Sequence, residues 1–145
     1  MENQRRGFPF EFFQRIVRDA PDAVVFADQS GIVRFWNRGA EEIFGHAEDE
    51  AIGQSLDLII PQGLRERHWQ GFHGVMQQGK ESRYGRRDLL RVPAMRKDGA
   101  RISVEFSLQI VEWNGERLAV ATLRDATEQW ETERELRRRL EDLES

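Results

Sequence analysis

The sequence predicts an α+β domain with a five-stranded antiparallel sheet, helices over one face of that sheet and a helix at the C-terminal end. Three observations predict this fold class. Two short apolar segments precede residue 37 and three more follow residue 88, with helical segments between the two groups. Apolar and polar residues alternate from Arg101 to Ile110, which is typical of a strand with one buried face. Turn sequences such as Asn114-Gly115 lie between neighbouring segments and favour hairpins.

The first quarter of the chain predicts a helix followed by a hairpin. Residues 1–8 form a polar lead-in. The apolar residues after it recur at roughly helical spacing: Phe10, Phe12, Phe13, Ile16 and Val17. This helix is expected to end near Ala20-Pro21, because the residue before a proline avoids the helical region. Strands at 23–27 and 32–36 then flank the turn sequence Asp28-Gln29-Ser30-Gly31.

The middle of the chain predicts helices. Asn37 is expected to cap a helix that Gly45 ends. Residues 46–61 favour short helical turns, because glycine and proline interrupt them. Residues 62–78 predict a longer helix with Gly79 as its C-cap. One face of that helix carries Leu64, His68, Phe72 and Val75 with Met76.

The second half predicts three strands and the C-terminal helix. Residues 80–88 form a charged loop, and a strand is expected to begin at Leu89. The turn Arg96-Lys97-Asp98-Gly99 separates it from the alternating strand, and residues 118–123 form the last strand. Asp125 or Thr127 is expected to cap the helix that follows.

The C-terminal helix, residues 126–145, is highly charged. It carries a stripe at the spacing of a short coiled coil: Trp130, Glu133, Leu136, Leu140 and Leu143. The stripe is imperfect, because a glutamate occupies one core position. A helix this polar needs a partner to bury its leucines, so we expect a homodimer that pairs through it. The alternative is that the helix packs back on its own sheet.

Composition excludes several classes of function. The chain has 145 residues, enough for one domain with one core. The formal net charge is −4 and basic residues occur in short clusters, so we expect binding neither to nucleic acid nor to a membrane surface. There is no cysteine, which excludes disulfides, thiolate metal sites and cysteine-adduct photocycles. No apolar segment has the length of a membrane span, and no signal-peptide core follows the N-terminus, so we expect a cytoplasmic protein.

Catalytic motifs are absent from the sequence. It contains no glycine-flanked nucleophile, no phosphate-binding glycine loop and no cluster of paired carboxylates. We therefore expect a binding or signalling module rather than an enzyme.

Several segments, taken in order, resemble the PAS family over about residues 10–128. They are Ala20-Pro21-Asp22-Ala23-Val24, Asp28-Gln29-Ser30-Gly31-Ile32-Val33, Trp36-Asn37-Arg38-Gly39-Ala40-Glu41-Glu42-Ile43-Phe44-Gly45, Ile52-Gly53-Gln54, Arg96-Lys97-Asp98-Gly99 and Arg124-Asp125-Ala126-Thr127-Glu128. The resemblance implies a half-open sheet that cups a cavity and passes changes to the C-terminal helix. It also implies a domain organisation of lead-in 1–8, PAS sensory domain 9–125 and C-terminal amphipathic helix 126–145.

The segment from Leu56 to His68 is similar to one in the oxygen-sensing haem PAS domains of nitrogen-fixation sensor kinases and direct-oxygen-sensor phosphodiesterases. In those domains an apolar segment ends in proline, and the histidine that binds haem iron follows seven residues later. Pro61 and His68 have the same spacing, with Arg65 also in register. From position alone, His68 is better explained as a structural core histidine. The resemblance implies haem b as the cofactor and His68 as its iron ligand.

The same resemblance implies further residues around a haem. Arg86 or Arg87 falls near the arginine or methionine that stabilises the sixth coordination position, where a guanidinium donates to bound oxygen. Phe106 and Leu108 correspond to apolar residues that crowd the ligand side. Phe72 lies on the same predicted helix face as the iron ligand. The chain departs from some relatives at Gly74, which stands in place of an arginine that helps to hold a haem propionate in those relatives.

Rival interpretations stay open. One is a PAS module for flavin or a small carboxylate, in which His68 is structural. Another is a ligand-free module for protein interaction or dimerisation. In the haem interpretation a diatomic gas, O₂, CO or NO, or the redox state is sensed, and the signal passes to an unknown effector protein in trans.

Other candidate residues have simpler interpretations. Trp69 and Trp113 are expected at a rim or an interface, with flavin stacking as the alternative. His46 follows the end of a helix and is expected to be exposed. Arg96 lies beside a turn and is expected at the surface.

Overall fold

A computed structural model of the chain describes residues 7–79 and 90–144. The elements follow in this order: α1 Phe10–Asp19, β1 Ala23–Ala27, β2 Val33–Trp36, α2 Arg38–Phe44, α3 Glu48–Ala51, the 3-10 helices Leu56–Ile59 and Gln62–Leu64, α4 Arg65–Gln78, β3 Leu90–Met95, β4 Arg101–Trp113, β5 Glu116–Asp125 and α5 Thr127–Glu144. The predicted lead-in to residue 6 and the predicted loop at 80–88 lie outside the described residues.

The five strands form one antiparallel sheet in the order β2-β1-β5-β4-β3. The first and last strands along the chain are neighbours, with Ala23 opposite Leu123. The long hairpin of β4 and β5 pairs from Trp113 opposite Glu116 to Val104 opposite Asp125. The predicted fold class is therefore confirmed.

One face of the sheet carries the core. Alternate residues of β4 point to it, and Val104 and Ile110 are buried there. The helices between β2 and β3 cover this face with buried side chains: Ala40, Phe44, Ala51, Leu56, Ile59, Phe72, Val75 and Met76. From α4, Phe72, Val75 and Met76 are buried in this layer, and His68 lies one turn before Phe72 on the same helix.

Asn37 begins α2 and joins three parts of the chain. Its side chain is 1% exposed, and its Oδ1 accepts from the backbone N–H groups of Ala40 and Val24 at 2.9 and 2.8 Å. Its Nδ2 donates to carbonyl oxygens at the end of α1 and before β1, including that of Val17 at 2.8 Å. Gly45 ends the helix with a φ of +84°. Both predicted caps are confirmed.

The helix before Gly79 and the last strand differ by more than one residue from their predicted bounds. The helix predicted over 62–78 starts with a separate 3-10 turn, because Pro61 fixes the backbone before it and α4 proper begins at Arg65. The last strand extends beyond the predicted 118–123 at both ends. Its polar ends are held by backbone hydrogen bonds to β4, which apolar periodicity does not reveal.

The two terminal helices leave apolar side chains uncovered. No residue of α1 is buried, and Phe10 is 60% exposed. In α5 the leucines Leu136, Leu140 and Leu143 are 54%, 59% and 82% exposed. The three leucines of the stripe predicted for α5 therefore have no cover within the described part of the chain.

Candidate functional site

The candidate site lies on α4, whose first turn is tied to the preceding 3-10 helix. The Arg65 guanidinium donates to the carbonyl oxygens of Asp57 and Ile60 at 3.2 and 3.1 Å. The Ile60 carbonyl is one that the short helix leaves free at its end, whereas the Asp57 carbonyl also accepts from the Ile60 N–H at 3.1 Å. At the other end, the Gly79 N–H donates to the carbonyl of Val75. The helix is thus held at both ends.

His68 is half-buried on the face of α4 that the sequence predicts. Its ring lies 4.8 Å from that of Trp69 in an edge-to-face arrangement and 5.9 Å from that of Phe72. Its Nδ1 is buried and makes no hydrogen bond to any residue of 7–79 or 90–144. A buried polar atom without a partner is uncommon and costs free energy, so it needs an explanation.

Burial is the main cause of a lowered pKa for His68. The nearby Asp57 carboxylate acts in the opposite direction, whereas His73 lowers the pKa further. The imidazole is therefore neutral at neutral pH. A neutral, partly buried imidazole is the form that binds a metal ion. The donor chemistry of His68 consequently fits an axial ligand of haem iron.

Phe106 and Leu108 lie on the inner face of β4, opposite Leu123 and Ala121 of β5. Both are half-buried and pack against the core. Val104 and Ile110, the next residues on either side of this pair along the same face of β4, are buried. The middle of the inner face is therefore less covered than its ends, and it presents apolar side chains.

The site residues fall into three groups by position. His68 and Phe72 are brought into contact on α4, while Phe106 and Leu108 lie on the sheet face that the helices cover. Arg86 and Arg87, predicted near the sixth coordination position, lie outside the described residues. A concavity of about 310 Å³ at the β4–β5 hairpin is lined by Gln29 and residues 112–117, and His68 is not part of that lining.

Trp69 makes a hydrogen bond and ring contacts beside His68 that its position in the sequence did not predict. Its indole N–H donates to the Asp57 carboxylate at 2.7 Å, and its ring also contacts Phe72 at 5.3 Å. The sequence supplies no signal for this hydrogen bond, because the two residues belong to different elements. Trp69 is thus a half-buried side chain anchored to the 3-10 helix Leu56–Ile59, which is compatible with the predicted rim position.

Two surface predictions need correction. His46 was predicted to be exposed, but it is half-buried, with its Nε2 buried and without a partner in the described part of the chain. The cause is Trp36, whose indole N–H donates to the His46 carbonyl at 2.9 Å and draws the backbone inward. Arg96 was predicted at the surface, yet its guanidinium donates to the Ile43 carbonyl at 2.6 Å and so joins α2 to the β3–β4 turn.

The junction between the sheet and α5 is closely bonded. Asp125 caps the helix by accepting from the N–H of Thr127 at 3.0 Å. The Thr127 hydroxyl accepts from the N–H of Ser103 on β4 at 3.0 Å, and the Ala126 N–H donates to the Ser103 carbonyl at 2.8 Å. Ser103 of β4 is therefore hydrogen-bonded directly to the first turn of α5.

A second contact joins α5 to β3. The Arg91 guanidinium forms ion pairs with Glu105 of β4 at 2.8 Å and Glu133 of α5 at 2.7 Å. The same guanidinium lies 5.3 Å from the ring centre of Trp130. Glu133, which makes the predicted leucine stripe imperfect, therefore has a partner on the sheet.

Comparisons with known proteins agree with this architecture. The family model described as PAS fold matches residues 11–126. The Sensor protein FixL of Bradyrhizobium diazoefficiens is 29% identical over 130 residues, which cover 90% of this chain and 25% of that protein. The Oxygen sensor protein DosP of Escherichia coli is 30% identical over 116 residues, which cover 80% of this chain and 14% of that protein. The chain thus spans a quarter or less of the length of these curated relatives.

Solved structures show the same fold at low identity. A PAS domain from Colwellia psychrerythraea has a TM-score of 0.69 and 22% identity, covering 82% of this chain and 98% of that one. An RNA-binding Light-Oxygen-Voltage receptor has a TM-score of 0.72 and 19% identity, covering 90% of this chain and 37% of that one. Among the described residues, no helix is both long enough and apolar enough to cross a membrane.

Proposed function

The chain belongs to the PAS family, and within that family we propose that it is a sensory module that binds haem b through His68. A diatomic gas, O₂, CO or NO, or a change of redox state is the signal. The change passes through the sheet to α5 and from there to an effector protein in trans. The cytoplasm is the proposed location, and the proposed module is not itself an enzyme.

The observation that carries this proposal is the buried Nδ1 of His68, which lacks a partner among the described residues. Rotation of the imidazole exchanges the positions of its two nitrogens, and either one is a suitable iron ligand when neutral. The spacing from Pro61 to His68 supports the same role through the resemblance to haem PAS domains. The relative named as an oxygen sensor adds support from the comparisons.

The residues proposed to hold the cofactor are His68 as the iron ligand and three apolar side chains, Phe72, Phe106 and Leu108. Haem iron, when bound, supplies a coordination position at which a diatomic molecule attaches. Burial keeps the His68 imidazole neutral and available. Arg86 or Arg87 is proposed to donate to the bound molecule. A side chain at Gly74 would meet no atom within 4 Å, so the missing propionate arginine leaves open space.

The proposed output path runs through the bonded junction of β4 with α5. Ser103 makes two hydrogen bonds to the start of α5, so a shift of the inner sheet face moves that helix. The exposed leucines of α5 are proposed to pair in a homodimer. We propose residues 9–125 as the sensory domain and 126–145 as its output helix.

Two other functions follow from particular observations. Flavin or another small ligand is favoured by the structural likeness to a Light-Oxygen-Voltage receptor. A ligand-free interaction module is favoured by the apolar side chains that α1 and α5 leave exposed. The absorption spectrum distinguishes these functions from haem binding, because haem and flavin absorb at different wavelengths and a ligand-free module has no visible band.

The test is a comparison of His68→Ala with His73→Ala after reconstitution with haem. His73 is exposed, lies on the same helix and provides a matched control. We expect the parent and His73→Ala to retain haem through gel filtration with the same Soret absorption. His68→Ala is expected to lose it while keeping the circular dichroism spectrum of the parent.

Equal haem retention by His68→Ala and the parent would contradict the role of His68. A parent chain that retains no haem at all would contradict the proposed cofactor itself. A yellow protein as purified would instead support the flavin alternative.

A further inference from the structure

We infer that Trp69 is a positioning residue: its indole, fixed at two points, sets the rotation of α4 about its axis and thereby the direction of the His68 imidazole. Neighbouring residues on a helix leave its axis about 100° apart. If one of the two side chains is anchored, the direction of the other is determined. The inference deepens the proposed function, and its relevance to haem rests on that function.

The first anchor is the hydrogen bond from the Trp69 indole N–H to Asp57 Oδ1 at 2.7 Å. A hydrogen bond to a charged acceptor is among the stronger types in proteins. Asp57 belongs to the 3-10 helix Leu56–Ile59, so this bond ties α4 to the element before it. The Arg65 guanidinium, 3.9 Å from the same Oδ1, helps to hold the carboxylate in place.

The second anchor is a close contact between the far edge of the indole and the backbone of Gly31 in the β1–β2 turn. A Cβ atom on Gly31 would lie 2.1 Å from two ring carbons of Trp69, so the position tolerates only glycine without a shift. The Gly31 φ of +77° gives a second reason for glycine. The indole therefore lies directly against the turn.

The two anchors lie in the β1–β2 turn and the 3-10 helix Leu56–Ile59, and backbone hydrogen bonds join these two segments to each other. The Leu56 N–H donates to the Gly31 carbonyl at 3.0 Å, and Ile32 forms an isolated bridge with Ser55. The turn and the 3-10 helix consequently move together. The indole is held against this unit on one side and presents its ring to His68 on the other, at 4.8 Å and an interplanar angle of 72°.

The test separates the anchor from the charge of Asp57. Asp57→Asn and Asp57→Ala both remove the negative charge, but only the asparagine keeps an oxygen that accepts from the indole. Trp69→Phe removes the donor, and Trp113→Phe is the control, because Trp113 is 67% exposed on the β4–β5 hairpin. The readout is the rate at which diethylpyrocarbonate modifies His68, measured by peptide mass spectrometry and normalised to an added histidine peptide.

We expect Asp57→Ala and Trp69→Phe to raise the rate at His68 about tenfold, because the loss of a hydrogen bond to a charged group frees the helix to turn. Asp57→Asn and Trp113→Phe are expected to match the parent. Equal rates at His68 in Asp57→Ala and Asp57→Asn would overturn the inference, as would a parental rate in Trp69→Phe.

A second measurement, the rate of haem loss, tests whether the direction of the His68 imidazole affects haem binding. After haem loading, the rate of haem transfer to apomyoglobin is expected to rise about tenfold in Asp57→Ala and Trp69→Phe, and to stay parental in Asp57→Asn. If no variant and no parent chain takes up haem, the proposed function fails, while the modification rates still decide whether Trp69 positions His68.

Discussion

Asn37 links the N-terminal helix, the first strand and α2 through one buried side chain. Its amide makes five hydrogen bonds, to backbone groups of Val17, Ala20, Asp22, Val24 and Ala40. Because the side chain is almost fully buried, water does not replace these bonds when the amide is removed. The residue therefore stabilises the packing of α1 as well as the start of α2.

Asn37→Ala is expected to lower the free energy of unfolding by about 2–4 kcal/mol, because it removes a helix cap and leaves buried backbone groups unpaired. Urea denaturation followed by circular dichroism measures the change. Gln54→Ala, at an exposed position, is the control and is expected to have little effect. If Asn37→Ala lowers the free energy of unfolding no more than the control does, the hydrogen bonds of the Asn37 amide make no net contribution to stability.

His68 makes the stability of the haem-free chain depend on pH. Its pKa in the folded chain lies below its ordinary value of 6.5, chiefly through burial. The unfolded chain therefore binds more protons than the folded chain between the two pKa values, so stability rises with pH across that window. The contribution is complete above the unfolded pKa and is lost as the pH falls below it.

His68→Gln is expected to reduce the difference in unfolding free energy between pH about 7.5 and about 5.5, since it removes this titration. Urea denaturation at the two pH values measures it. His73→Gln, on the same helix, is expected to keep most of the parental difference, because burial and not His73 is the main cause of the lowered His68 pKa. The same pH dependence in His68→Gln and the parent would contradict the buried neutral imidazole.

At the residue scale, local signals predicted caps and missed contacts between distant residues. The helix ends at Asn37 and Gly45 are set by backbone geometry within a few residues, so the sequence predicts them well. The indole of Trp69 contacts Gly31 and Asp57, which lie 38 and 12 residues earlier, and neither periodicity nor propensity contains that information. His46 was misjudged for the same reason.

At the scale of elements, α5 has two parts with different surroundings. Its first two turns contact the sheet through Thr127, Trp130 and Glu133. Its second half exposes a row of leucines. Contact with the sheet is therefore observed for the first two turns, and pairing with another chain stays a prediction for the second half of the helix.

Leu136→Ala with Leu140→Ala is expected to shift the chain from dimer to monomer in light scattering, because the change removes apolar area from the proposed pairing surface. Arg134→Ala with Arg138→Ala is the matched control, since it changes two residues of the same helix outside the leucine row. An unchanged mass for the leucine variant would contradict pairing through α5.

Element bounds were predictable where a turn or proline marks them. The β4–β5 hairpin is correctly placed by Asn114-Gly115, whose residues both have positive φ. The polar ends of β5 were missed, because its pairing with β4 is made by backbone groups that any residue supplies. The 3-10 turn before α4 was missed because it continues the polar, helix-like composition of the segment.

At the scale of the whole molecule, the sheet and its helical layer place α4 between the inner sheet face and the β1–β2 turn. The order of strands puts β5, which leads into α5, at the centre beside β1 and β4. The first turn of α5 is hydrogen-bonded to β4, one of the strands whose inner face the helical layer covers. The fold follows from the sequence pattern together with the family resemblance, whereas the proposed cofactor rests on the chemistry of one histidine.

The most direct measurement of the central claim is a titration of the purified full chain with haem, followed by visible absorption. Haem binding through His68 predicts saturation at one haem per chain, with a Soret band shifted and sharpened relative to free haem and further changed when CO is added to the reduced protein. A spectrum that remains that of free haem throughout the titration would contradict it.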